Sequence, residues 1–191
     1  MEIGGSNFQM GRRRTADSYY FSRYCCAWGW ATWRRAWTHF DVNLNRWPEL
    51  RDAGFLDQVL DDPVERRCWR TRFDNVHAGN VTWAWDWQWL FAMWRQHGLS
   101  VVPETNLVTN IGFGPDSTNF KSFRPKIAFQ ERREIGELLH PVDVFANREA
   151  DRFIFDYCEE GMAMRGTLGS IRPAFRKLLN RAKRRFSRKE P

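Results

Sequence analysis

Tyr24-Cys25-Cys26-Ala27-Trp28-Gly29-Trp30-Ala31-Thr32-Trp33-Arg34-Arg35 is the stretch whose reading decides the fold. Upstream, Tyr19-Tyr20-Phe21 through Tyr24 is aromatic and suits a short strand. Gly29 breaks that pattern, and Thr32 begins a helical stretch to about Phe40, with Trp33 and Trp37 one turn apart on one face. Tryptophan totals 11 residues, concentrated between Trp28 and Trp94. Each brings a large apolar area and one N–H that needs an acceptor, so such a density implies an aromatic core or an aromatic-lined cleft. In either case Trp28, Trp30, Trp33, Trp85 and Trp89 are expected to share one region.

Working outward, Pro48 opens a helix carrying Leu50, Phe55, Leu56, Val59 and Leu60 at helical spacing. Pro63 opens a second over about 63–76, with Val64, the stem of Arg67, Cys68 and Phe73 facing inward. Asp86 precedes a third, which runs through Trp94 and is stopped by Gly98. Leu99–Val102 and Leu107–Ile111 read as short strands, residues 143–157 as mixed strand and helix. Residues 1–17 are polar and Gly-rich and read as disordered or linker, 18–160 as the body, and 161–191 as a loose linker with a basic amphipathic helix. The class is α/β, mainly helical with a few short strands. So few strands suggest a piece of a larger α/β protein.

The formal charge of +7 is unevenly placed. From Ile171 onward there are nine Lys or Arg against Glu190 alone, leaving 21 basic and 22 acidic side chains in the other 170 residues. A neutral body makes a body-wide nucleic-acid surface unlikely. In the tail, Ile171, Phe175, Leu178, Leu179, Ala182 and Phe186 share one helical face opposite the Lys and Arg residues. That pattern fits an anionic membrane surface, a solvated helix packed on the body, or phosphate binding. Cys25, Cys26, Cys68 and Cys158 form no CxxC pair, and no metal ligand set is assigned. With no apolar run of about 18 residues and no secretory pattern after Arg12-Arg13-Arg14, the expected location is cytoplasmic, peripheral to the inner membrane if the tail binds it.

Two further blocks stand out, Trp83-Ala84-Trp85-Asp86-Trp87-Gln88-Trp89 and Asn106-Leu107-Val108-Thr109-Asn110-Ile111-Gly112-Phe113-Gly114-Pro115-Asp116-Ser117-Thr118. With Ser22-Arg23-Tyr24 and Trp28 to Trp37, these blocks resemble in order and spacing the second half of bacterial GT-A-type nucleotide-diphospho-sugar transferases, the haemolysin-like group. The resemblance covers roughly residues 18–120. It implies the acceptor-side, C-terminal part of a GT-A-like fold and transfer of a sugar from a nucleotide-sugar donor to a polysaccharide or lipid-linked glycan acceptor. That group has Pro-His where this chain has Cys25-Cys26, and a His near Asn119. Its Asp-x-Asp motif, which holds Mg²⁺ or Mn²⁺ and the donor diphosphate after a sheet strand, has no counterpart here beyond Asp41 or Asp61-Asp62, neither of which follows a buried strand. Metal and donor are therefore assigned to a half lying outside this chain. A non-catalytic carbohydrate-binding or assembly module is the alternative.

Inverting transfer needs a carboxylate to take the acceptor's proton. Asp86, at a helix start and flanked by tryptophans, fits; equally, an Asp there fits a helix N-cap. Trp28, Trp30 and Trp85 suit a sugar's C–H face, and Gln88 an acceptor hydroxyl. Arg34, or Arg35, suits a diphosphate or a solvated helix face. Gly29 suits close backbone approach or a plain turn. Asp116 and Thr118 fall in a loop that either closes over a site or forms ordinary surface.

Overall fold

A computed structural model describes residues 1–111, 130–159 and 161–164. In chain order these form β1 (Glu2–Gly4), β2 (Tyr19–Ser22), β3 (Trp30–Thr32), α1 (Arg34–Trp37), α2 (Trp47–Asp52), α3 (Phe55–Val59), α4 (Pro63–His77), α5 (Trp85–Arg95), β4 (Ser100–Pro103), α6 (Arg148–Cys158) and α7 (Gly161–Met164). The class is mixed α/β. Asp116 and the basic segment from Ile171 lie outside the described residues. No helix among the described residues is long and apolar enough to cross a membrane.

The four strands make one sheet in the order β2-β4-β1-β3, with β1 parallel to β4 and the other pairs antiparallel. Alternation along a strand sends successive side chains to opposite faces, and the register aligns two rows. Thr32, Glu2, Ser100 and Ser22 form one, with Glu2, Ser100 and Ser22 buried under the helices. Ala31, Ile3, Val101 and Phe21 form the other, on the opposite face, where Ile3 is 47% exposed. The polar row is thus the buried one, and hydrogen bonds make that tolerable. Ser100 Oγ and the Cys26 N–H donate to Glu2 Oε1 at 2.9 and 3.2 Å, and Trp89 Nε1 donates to Oε2 at 2.6 Å.

Helix α5 runs through the core, with Gln88 to Trp94 buried on every side, the signature of a helix enclosed by the fold. Trp89, Ala92 and Met93 meet Ala36 and Trp30, while Leu90, Phe91 and Trp94 join Trp47, Trp69, Phe73 and Phe155. The four fully buried tryptophans each find an acceptor for the indole N–H. Trp47 donates to Asp74 Oδ1 (2.9 Å), Trp69 to the Tyr24 hydroxyl (3.1 Å), Trp89 to Glu2 and Trp94 to the Arg23 carbonyl (2.7 Å). An unpartnered buried N–H would cost about 1–3 kcal/mol.

Several elements follow the sequence reading closely. Asp62 caps α4, its Oδ1 accepting from the Val64 N–H at 2.8 Å, with Pro63 in the first turn. Other elements differ. Residues 1–17 are no linker, because β1 is interior to the sheet and Ser6, Asn7 and Gln9 are buried. Their polarity is spent inside: Asn7 Nδ2 donates to the Pro103 and Glu104 carbonyls, both at 2.8 Å, and Gln9 Nε2 to Ala150 at 3.1 Å. The stretch expected to be helical from Thr32 to Phe40 places Thr32 in β3 and keeps one turn, α1. Leu107–Ile111 forms no strand; the Asn106 side chain donates to Val108 O at 2.6 Å, a local bond that competes with a ladder. Gly98 is not the left-handed residue ending α5. His97 takes that conformation at φ 49°, and the Gly98 N–H closes the turn on Met93 O at 2.8 Å.

Candidate functional site

Asp86 lies in the first turn of α5, one residue inside the helix, so the capping position belongs to Ala84, which supplies no side-chain cap. This corrects the N-cap reading. The carboxylate still faces the backbone N–H groups of Asp86 and Trp87, which favour its charged form. Burial outweighs them and, with the negative charge of Glu159, pushes Asp86 above the ordinary carboxylate range, while Arg72 pulls it back. A carboxylate raised in this way is a stronger proton acceptor once ionised.

Successive helical positions fan outward, so the aromatic neighbours of Asp86 diverge into two clusters. Trp85, 39% exposed, stacks on Trp30 with ring centres 5.3 Å apart and planes 26° apart. Trp30 in turn meets Trp37 and Trp89, and Trp37 stacks on Phe40 at 4.5 Å. On the other side Trp87 meets Trp83, which is 70% exposed, at 5.8 Å, and Trp69 edge-on at 6.3 Å. The Arg72 guanidinium lies over both Trp69 and Trp87, at 4.6 and 4.9 Å from the ring centres, and forms an ion pair with Glu159. The sequence reading passed over Arg72 and Glu159. Both are separated from Asp86 along the chain, and only the packing of α4 and α6 against α5 brings them near its first turn.

Of the tryptophans expected to converge, Trp30, Trp85 and Trp89 do so, and Trp37 joins them. Trp28 packs edge-on against Phe8 at 5.0 Å, beside the main core, and the exposed Trp33 ring lies under the Arg35 guanidinium at 5.3 Å. Gln88 is buried, its Nε2 donating to the Val42 carbonyl at 2.8 Å, so it ties the loop before α2 to the core. Arg34 is exposed on α1, a single turn. Gly29 has φ 60°, and a Cβ there would lie 2.6 Å from Val108 Cγ1, so its missing side chain makes room for Val108. Ser22-Arg23-Tyr24 serves the interior. Ser22 Oγ donates to Asp151 Oδ1 at 2.6 Å, Arg23 Nε to Asp151 Oδ2 at 3.0 Å, and the Tyr24 hydroxyl to Glu65.

Among the described residues no group of three or more His, Cys, Asp or Glu side chains is placed to hold a metal ion. The four cysteines form no disulfide with one another, and burial pushes Cys25 and Cys26 well up and Cys158 to about 12, so those three thiols stay protonated and weakly reactive at neutral pH. A cleft of about 170 Å³ lies apart from Asp86, lined by Arg14, Tyr19, Phe21, Phe145 and their neighbours. Its location does not coincide with the aromatic clusters, and the chemistry of Asp86 carries more weight than its concavity. Neither the protein-family models, nor curated proteins, nor solved structures show significant similarity to this chain.

Proposed function

We propose that this chain is the acceptor-side part of a GT-A-like glycosyltransferase, with Asp86 as the general base and the Trp85–Trp30 stack as the platform for an acceptor sugar. The observation that carries this reading is a carboxylate with a raised pKa at the open end of a core helix, flanked by partly exposed indoles. In the proposed step the acceptor hydroxyl gives its proton to Asp86 as its oxygen bonds to the anomeric carbon. The bond from that carbon to the diphosphate breaks, and the nucleoside diphosphate leaves. Donor and divalent metal would be held by a separate nucleotide-binding half that meets this chain on the side of the Trp85–Trp30 stack. The basic segment from Ile171 would bring the enzyme to an anionic inner-membrane surface.

A non-catalytic carbohydrate-binding or assembly module is the second reading, favoured by the sequence having no Asp-x-Asp motif. Both readings require glycan binding at the stack. On an array of bacterial polysaccharides and lipid-linked oligosaccharides the chain should retain at least one glycan, and Trp85→Ala should weaken it tenfold or more, about 1.4 kcal/mol. No retained glycan, or equal binding by the variant, would remove both.

A further inference from the structure

We propose that Arg72 and Glu159 are positioning residues for Asp86, a locked pair of opposite charges that sets whether the Asp86 carboxylate is ionised. The role rests on Asp86 being the acceptor-side base; the electrostatic coupling does not.

Arg72 is held on four sides. Its guanidinium lies between Trp69 and Trp87, 4.6 and 4.9 Å from the ring centres. It pairs with the Glu159 carboxylate, and its Nη2 donates to the Glu159 carbonyl at 3.1 Å. Glu159 is the residue that ends α6, where exposed carbonyls favour a cation. Trp87 directly follows Asp86, so the stack fixes the guanidinium relative to the first turn of α5. An Arg stem loses much rotamer freedom in such a clamp, and a guanidinium stacks and pairs as a lysine ammonium cannot.

Among the described residues the side-chain charges that act on Asp86 are those of Glu159 at the end of α6 and Arg72 on α4, and the Cys25 Sγ lies 3.6 Å from the Asp86 carbonyl oxygen. Arg72 favours the ionised carboxylate and Glu159 disfavours it. The two oppose each other at Asp86, Glu159 with the larger effect, and removing either member shifts the carboxylate in a known direction. Glu159→Gln removes the negative charge that disfavours ionisation and lowers the Asp86 pKa. Arg72→Met leaves the Glu159 carboxylate unopposed and raises it. Loss of packing alone does not move the titration in opposite directions.

The side-chain carboxyl carbon of Asp86, assigned by its loss in Asp86→Asn, can be followed by NMR through a pH titration of the full chain labelled with ¹³C-aspartate. The expected midpoint lies above the ordinary aspartate range in the wild type, lower in Glu159→Gln and higher in Arg72→Met. An unchanged midpoint in Glu159→Gln, or movement of both variants in one direction, would overturn the proposal. Should Arg72→Met fail to fold, the near-isosteric Glu159→Gln decides alone. Neither sugar nor donor half is needed, so this result and the glycan-array result fail independently.

Discussion

Glu65 offers a sharp test of how the core is held. It is 5% exposed, on α4, and accepts from Tyr24, which itself accepts from Trp69. Burial pushes its carboxyl from the ordinary 4.5 to about 7, while the Tyr24 hydrogen bond and Arg23 pull the other way. A carboxyl raised in the folded state stabilises fully below its unfolded pKa, and that stability is lost as pH rises through the folded pKa. Between pH 4.5 and about 7 the unfolded chain has released this proton and the folded chain retains it. At about 1.4 kcal/mol per pH unit the loss amounts to about 3 kcal/mol, against a typical domain stability of about 5–15 kcal/mol. Glu65→Gln keeps an acceptor for Tyr24 and cannot ionise. Urea unfolding at pH 5 and pH 8 should show the wild type losing about 3 kcal/mol more than the variant across that interval. Glu2, also raised by burial, slopes the same way in both proteins and cancels in the comparison. Parallel loss in the two proteins would refute a buried, late-titrating Glu65.

Two further outcomes follow from the same geometry and charge. Gly29→Ala meets both a positive φ and Val108 2.6 Å from the new Cβ, so thermal unfolding should show a loss of about 2–4 kcal/mol. Gly79→Ala, at φ 72° with nothing within 4 Å, should lose only about 1 kcal/mol. Replacing Arg181, Lys183, Arg184 and Arg185 with Gln should weaken binding to phosphatidylserine vesicles by about 1 kcal/mol per charge; unchanged sedimentation with vesicles would remove the membrane role.

Local signals were legible where local chemistry decides the outcome. The Asp62-Pro63 start of α4, the aromatic strand at Tyr19 and the apolar run of α5 each appear as read. That a helix starts near Asp86 also needed only the residues around it, although Asp86 falls inside the first turn of α5 and not before it. Strand β1 was hidden because Glu2 reads as surface, and only Trp89, Ser100 and Cys26, distant in sequence, make its burial tolerable. The polar run from Ser6 to Gln9 misled for the same reason. Helix α6 was blurred into mixed structure, although Asn147 caps it by accepting from the Ala150 N–H at 2.9 Å. The tryptophan density left core and cleft open; the fold buries Trp47, Trp69, Trp89 and Trp94 in the core and leaves Trp33, Trp37, Trp83 and Trp85 at the surface. Arg72 and Glu159 were invisible since their meeting depends on how α4, α5 and α6 pack.

The central claim is that Asp86 accepts a proton during sugar transfer, and Asp86→Asn measures it most directly. The variant keeps size and hydrogen-bonding capacity and cannot take the proton. Transfer should be followed in an enzyme combining this chain with a nucleotide-sugar-binding half. Turnover is expected to fall by about 10²–10⁴-fold, the usual worth of a positioned base, with the KM for the donor unmoved and folding stability changed by no more than about 1 kcal/mol. Near-normal turnover in Asp86→Asn would contradict the account and leave Asp86 as a first-turn residue that only steadies α5.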